Sequence, residues 1–393
     1  MKLAERMTGL GQETAFLVLV KARELEAQGR DIVHLEVGEP DFDTPAHIIE
    51  AACRALQSGY THYNPSAGLP ELRQAIAEDV SQSRGIKVNP KQVVVTPGAK
   101  PIMFFTLLAL AGPGDEVIYP NPGFPIYESM INFVGAKAVP LRLAEEKDFC
   151  CDTDELRSKV TPRTKLIIIN SPHNPCGSTL CREDLQAIAE MALKHDITVL
   201  ADEIYGRISY DGDFASITQF PGMQERTIIL DGFSKTYAMT GWRLGYGVMP
   251  ETLAEQMAKL MSNSNSCTAT FTQIAGVAAL QGPQDEAYKM VAAFKERRNL
   301  IVKGLNSIPG IRCVMPKGAF YVFPNVKEVI KRGKFANCKA LAEHLLTEAG
   351  VALMSGTAFG EYGEGYLRLS YANSIPNIQK ALDRISEAVA KLG

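Results

Sequence analysis

The stretch Lys165–Asp202, KLIIINSPHNPCGSTLCREDLQAIAEMALKHDITVLAD, decides the fold. Lys165–Asn170 (KLIIIN) is an apolar strand that ends on a polar residue. Arg182–His195 reads as a helix, and Ile197–Ala201 is a second apolar strand ending just before Asp202. A strand, a crossover helix and a second strand make parallel neighbours, and uninterrupted apolar strands are buried on both faces. The pattern continues in both directions. Upstream, the strand Val93–Thr96 precedes the helix-length Ala99–Ala111. Asp115–Tyr119 follows the turn Gly112-Pro113-Gly114, and then come a helix over Phe124–Val134 and a strand over Ala136–Leu141. Downstream, Thr227–Leu230 is strand-like again. The fold class is therefore α/β, a mostly parallel sheet flanked by helices.

The last hundred residues change character. Pro283–Ser307 reads as one long charged helix. Strands are expected near Ile311–Val314, Ala319–Phe323, Val351–Met354 and Tyr366–Ser370, with helices over Lys339–Ala349 and Asn377–Leu392. This is an α+β pattern and a second, smaller domain. The segment through about Phe42 carries one helix, Gln12–Gln28, and is expected to pack on that domain. Asp43-Thr44-Pro45 has the form of a helix start, with a cap residue ahead of proline.

Composition excludes several classes of function. The 41 basic and 44 acidic residues leave a net charge of −3, without the basic footprint of a nucleic-acid binder or a polybasic membrane segment. The apolar run Ala15–Val20 is ended by Lys21, too short for a secretory leader, and no run approaches the ~20 residues of a membrane helix. The eight cysteines include no CxxC pair and no metal-ligand spacing, so the expectation is no metal and reduced thiols in the cytoplasm.

Polar residues collect where strands end. Asp202 closes one strand and Tyr205 follows it; NSPHNPCG (Asn170–Gly177) follows another; TPGAK (Thr96–Lys100) joins a strand to a helix, whose free amides suit an anion. Asp231–Gly247 (DGFSKTYAMTGWRLGYG) places Lys235 just past a fourth strand, with Arg243 eight residues on. In open α/β sheets ligands bind at such strand ends.

Ser234-Lys235 and the following TYAMTGWRLGY resemble the pyridoxal-phosphate attachment site of the class I aminotransferases, the aspartate aminotransferase family. The resemblance extends along the chain through GEPDF (Gly38–Phe42), THYNPSAGLPELR (Thr61–Arg73), PGDEV (Pro113–Val117), NSPHNPCG, DEIY, KGAFYVF (Lys317–Phe323) and YLRLSYA (Tyr366–Ala372). It implies a fold-type I enzyme and a homodimer with shared active sites. The large cofactor domain would span residues 45–285, and a small domain would be built from residues 1–44 and 286–393. The implied activity is ping-pong transfer of an amino group between an L-amino acid and a 2-oxo acid, with pyridoxal 5′-phosphate as cofactor.

The resemblance also implies roles. Lys235 would carry the cofactor and move the substrate proton, which needs an amine of lowered pKa. Asp202 would face the pyridine nitrogen. Tyr205 and Asn174 would donate to the cofactor's phenolate oxygen, and Phe124 would stack on its ring. Arg243, Ser234 and the amides of Ala99 and Lys100 would hold the phosphate, with Tyr63 reaching the phosphate of the neighbouring subunit. Arg368, with Asn174 and Gly38, would receive the substrate α-carboxylate, Gly38 permitting close approach. Lys100 aligns with a lysine that binds a distal carboxylate in some bacterial relatives, which favours an aspartate/glutamate-type substrate.

Three departures stand out. Gly232 occupies a position where some members carry a hydroxyl, Phe124 one where many have Trp or Tyr, and Cys176 replaces the Thr of NPTG. His173 and Cys176 are expected near the site, Cys176 as packing and His173 able to titrate near neutrality. A β-lyase, cyclase or decarboxylase on the same scaffold would use the same cofactor groups. A non-catalytic regulatory domain is disfavoured, because no winged helix precedes the first helix.

Overall fold

The computed structural model describes all residues except Lys2, Gln12, Asp213 and Gly393. Its strands, in chain order, are β1 (Val33–His34), β2 (Val93–Thr96), β3 (Glu116–Asn121), β4 (Lys137–Arg142), β5 (Thr164–Asn170), β6 (Thr198–Asp202), β7 (Thr227–Gly232), β8 (Gly245–Val248), β9 (Tyr321–Val322), β10 (Val351–Ala352), β11 (Met354–Ser355) and β12 (Leu367–Ser370).

Strands β2 to β8 form a seven-stranded sheet in the order β2-β8-β7-β6-β5-β3-β4. β3, β4, β5, β6 and β7 pair in parallel, and β8 runs antiparallel to both neighbours. Successive side chains on a strand face opposite sides, so each strand feeds two cores. Leu166, Ile168, Leu200 and Ile228 bury against the helices Lys100–Leu110 and Glu251–Ser264. Ile167, Ile169, Val199 and Ala201 bury on the other face with the helix Arg182–His195.

Past the long helix Asp285–Asn306, β11, β12 and β9 form a three-stranded antiparallel sheet. β1 pairs in parallel with β10, so the N-terminal segment is tied to the C-terminal one. The expected Ile311–Val314 strand is reduced to a single bridge, Arg312 to Asn325. The N-terminal helix runs Thr14–Ala27; Gln12, its expected first residue, lies outside the described residues. The helix predicted from Asp43-Thr44-Pro45 begins at Ala46, one residue later than expected, so that Pro45, with no polar side chain, stands at the cap position; the Thr44 hydroxyl donates to the carbonyl of Ala238 at 2.7 Å.

One buried ion cluster fixes the strand ends on which the site stands. Arg84, the last residue of the helix Pro70–Arg84, donates to Glu203 at 3.1 Å and to Asp231 at 2.6 Å. All three are buried. The Ser216 hydroxyl donates to the other oxygen of Glu203, and the Tyr246 hydroxyl and the Gly232 amide donate to Asp231. Burial pushes both carboxyls up, and the Arg84 charge pulls them back. Removing one partner of a buried cluster strands the rest. Arg84→Met is expected to destabilise the protein by about 3–5 kcal/mol. Urea unfolding checks this; a loss below about 1 kcal/mol would show that the cluster contributes little.

Candidate active site

At the C-terminal ends of β5, β6 and β7 lies a cavity of about 510 Å³. β6 delivers Asp202, and the turn after β7 delivers Ser234 and Lys235. The helix start after β2 delivers Ala99 and Lys100, and β12 of the C-terminal sheet delivers Arg368. Gly38, Phe124, Asn174, Tyr205 and Arg243 complete the set, so eleven of the twelve residues expected from the sequence line one cavity. The twelfth, Tyr63, is 88% exposed and lies outside it.

Asp202 accepts from the Tyr127 hydroxyl at 2.5 Å and from the Ile204 amide at 3.3 Å. Burial pushes its carboxyl up to about 6, against the pull of those two donors. Among the described residues no cation pairs with it. A buried acid lacking a cation suits a ligand that brings positive charge. Lys235 donates to the Gly38 carbonyl at 2.6 Å, and burial pushes its ammonium down to about 8, while Glu39 and Glu13 resist. An amine in that range is neutral often enough near pH 7 to act as nucleophile and base.

Arg243 has φ 55° and donates to the Thr240 carbonyl at 2.7 Å. Gly98, at φ 84°, takes a left-handed conformation that favours glycine, and a Cβ there would crowd the Arg243 guanidinium. No side chain caps the adjacent helix Lys100–Leu110. A guanidinium beside an uncapped helix start is an anion cradle. Arg368 is buried, and its guanidinium donates to the Glu36 carbonyl and, at 3.4 Å, to Asn174 Oδ1. Its Nε has no partner, and no carboxylate oxygen lies within ion-pairing distance of it among the described residues. It stands over the rings of Tyr321 and Phe359 at 4.6 and 4.9 Å.

Sequence reasoning missed several supporting groups. Tyr127 holds Asp202. Tyr321 shares a 2.8 Å hydrogen bond with the Tyr205 hydroxyl, and a Cβ at Gly38 would collide with Tyr321, so this glycine makes room for a neighbouring ring. Asn170 donates to the carbonyls of Asp202 and Pro172 and accepts from the Asn174 amide, bracing the loop. The signal was present: Tyr127 lies one helical turn past Phe124, and Tyr321 sits inside KGAFYVF. His173 and Cys176 do not line the cavity. Burial pushes the His173 imidazole down to about 3, which corrects the expected titration near neutrality. Cys176 is buried in an apolar cluster.

A lysine of lowered basicity, a buried acid and two anion-seeking arginines around one cavity suit an enzyme whose ligands carry anionic groups. Comparison with known proteins names it further. The sequence model of aminotransferase class I and II matches residues 30–385. The aspartate aminotransferase of Bacillus subtilis is 39% identical over all of both chains. The aromatic-amino-acid aminotransferase 2 of Thermococcus litoralis is 41% identical over 92% of this chain and 93% of its own. The solved aspartate aminotransferase from Thermus thermophilus with maleate superposes with a TM-score of 0.93 at 39% identity, covering 99% of this chain and 100% of that one. The chain belongs to the class I and II aminotransferase family. It has the fold-type I architecture and is a pyridoxal-phosphate-dependent transaminase acting on amino acids and 2-oxo acids.

The lowered Lys235 basicity can be measured. Trapping a small aldehyde on the cofactor-free protein with borohydride, read by peptide mass spectrometry, should label Lys235 increasingly as pH rises through about 8. Roughly a tenth of the plateau is expected at pH 7. A midpoint near that of surface lysines would show that burial does not lower it.

Proposed function

We propose that the residues of this cavity divide the transamination as follows. The carrying observation is that Lys235, Asp202, Arg243 and Arg368 open on the same space. The residues fit the cofactor: a buried acid without a cation for the ring nitrogen, and an arginine-and-amide cradle for the phosphate. Bound pyridoxal phosphate supplies the electron sink for the pair left at the substrate Cα.

Lys235 carries the cofactor covalently. Its Nζ would take the proton from the substrate Cα and, in the second half-reaction, return one to the Cα of the other substrate. Asp202, held by Tyr127, keeps positive charge on the ring nitrogen. Tyr205 and Asn174 hydrogen-bond the phenolate oxygen, and Phe124 stacks on the ring. Arg243, Ser234 and the amides of Ala99 and Lys100 hold the phosphate. Arg368 receives the α-carboxylate in its guanidinium fork, beside Asn174 and Gly38.

The working unit is a homodimer in which Tyr63 serves the neighbouring subunit's phosphate site. In support, Tyr63 is largely exposed, and Ile49, Leu56 and Tyr60 near it in sequence are exposed apolar residues. Residues 45–285 form the cofactor domain and residues 1–44 with 286–393 the small one; the β1–β10 pairing supports joining the two chain ends. The cytoplasm is the proposed location. The cysteines are free, as in a reducing compartment, and no helix among the described residues is long and apolar enough to cross a membrane.

The favoured substrate is of the aspartate/glutamate type. Lys100 lines the cavity as a candidate partner for a distal carboxylate. The Bacillus relative is named for aspartate, and the Thermus structure holds maleate, itself a dicarboxylate.

Lys235→Ala should yield colourless protein and lower turnover by about a thousandfold or more; retention of full turnover would sink the mechanism. Lys100→Met should raise KM for aspartate by about tenfold while affecting an uncharged amino acid far less. Steady-state kinetics with both substrates decides, and an unchanged aspartate KM would reject the acidic subsite.

A further inference from the structure

Glu13 stands where a helix cap belongs, directly before the helix Thr14–Ala27, yet its side chain makes no capping bond. Its carboxylate instead pairs with Lys100 Nζ at 2.5 Å. Both side chains line the cavity that also holds Lys235 and Arg368. The Glu13 side chain is 26% exposed and that of Lys100 48%, so the pair sits partly in solvent. The Lys100 ammonium also lies 5.3 Å from the centre of the Phe124 ring. The cavity lining also includes the apolar residues Ala15, Phe16, Val37 and Met103.

This arrangement has a consequence for the acidic subsite. A substrate carboxylate seeking Lys100 meets a cation whose charge is already met. It must displace Glu13, or share one ammonium with a second anion. An uncharged side chain leaves the ion pair intact and packs on the apolar walls.

We propose that Glu13 is a specificity-determining residue: by occupying Lys100 it penalises substrates with a distal carboxylate and admits uncharged, apolar amino acids to the same cavity. This rests on the reading of Lys100 as the distal-carboxylate group. Discrimination of this kind combines an attractive group with a repulsive one. The cavity thereby carries both, the repulsive one on the N-terminal segment.

The test is Glu13→Gln in the holoenzyme, assayed with aspartate and with phenylalanine, each against one fixed 2-oxo acid. The aspartate-to-phenylalanine ratio of kcat/KM should rise about three- to fivefold, the scale of a partly exposed ion pair. The change should reside in KM for aspartate, whereas a merely structural defect would lower kcat for both. Glu13→Ser, which restores a good helix cap, should shift the ratio in the same direction and guards against misfolding of the first variant. Adding Lys100→Met to Glu13→Gln should abolish the gain. An unchanged ratio in both Glu13 variants, with Lys100→Met still impairing aspartate selectively, overturns the role of Glu13 and leaves the acidic subsite standing. A gain that survives Lys100→Met overturns the proposal as well, since Glu13 would then act without Lys100. If Lys100→Met alone spares aspartate, it is the underlying reading that fails.

Discussion

The site depends on a cluster none of whose members lines the cavity: Arg84 between Glu203 and Asp231. Glu203 follows Asp202 directly, and Asp231 lies four residues before Lys235. Pulling both acids onto one guanidinium sets the ends of β6 and β7 relative to each other. That fixes the acid against the amine. Buried ion clusters return little net stability, since desolvation offsets the attraction. Their use here is positional. A planar fork accepts two acids in only a few geometries, and the Ser216, Tyr246 and Gly232 donors satisfy oxygens that Arg84 leaves free.

The cavity itself is built with its charges incomplete. Among the described residues Asp202 is buried without a cation and Arg368 without a carboxylate, and Arg243 stands beside an uncapped helix start. Asp202 and Arg368 are unfavourable burials that a cationic ring and an α-carboxylate would relieve, and the exposed Arg243 offers its charge to a phosphate. The same low-polarity surroundings weaken the hold of Lys235 on its proton. One environment thus prepares both the binding groups and the base. A net charge of −3 gave no hint of this local pattern, because it averages over the whole surface.

Much of this was legible beforehand. Strands β2 and β5 to β7 were readable because they are short, nearly unbroken runs of apolar, largely branched residues, buried throughout. β8, the sequence GYGV, was not, because two glycines and a tyrosine carry no such signal; Gly245 is needed where the chain passes against Ala99. The residues lining the cavity were legible because they sit at strand ends in distinctive short segments. Arg84 was not: it lies in a polar helix 119 residues from Glu203 and 147 from Asp231, and no local pattern announces so distant a partner. His173 misled for a related reason, since its type suggests titration but only its surroundings set its pKa.

The two sides of the cavity come from different parts of the chain. Groups that suit a cofactor stand on the sheet and its turns, braced by the Arg84 cluster. Glu13, the ion partner of Lys100, and Phe16, which also lines the cavity, belong to the N-terminal segment, which is held to the rest through short pairings such as β1 with β10. Overall similarity does not tell substrates apart here: a relative named for aspartate is 39% identical and one named for aromatic amino acids 41%. The residues able to change substrate choice without disturbing the chemistry are the ones outside the braced strand ends. A partly exposed pair such as Glu13 and Lys100 meets that condition, because replacing it strands no buried charge.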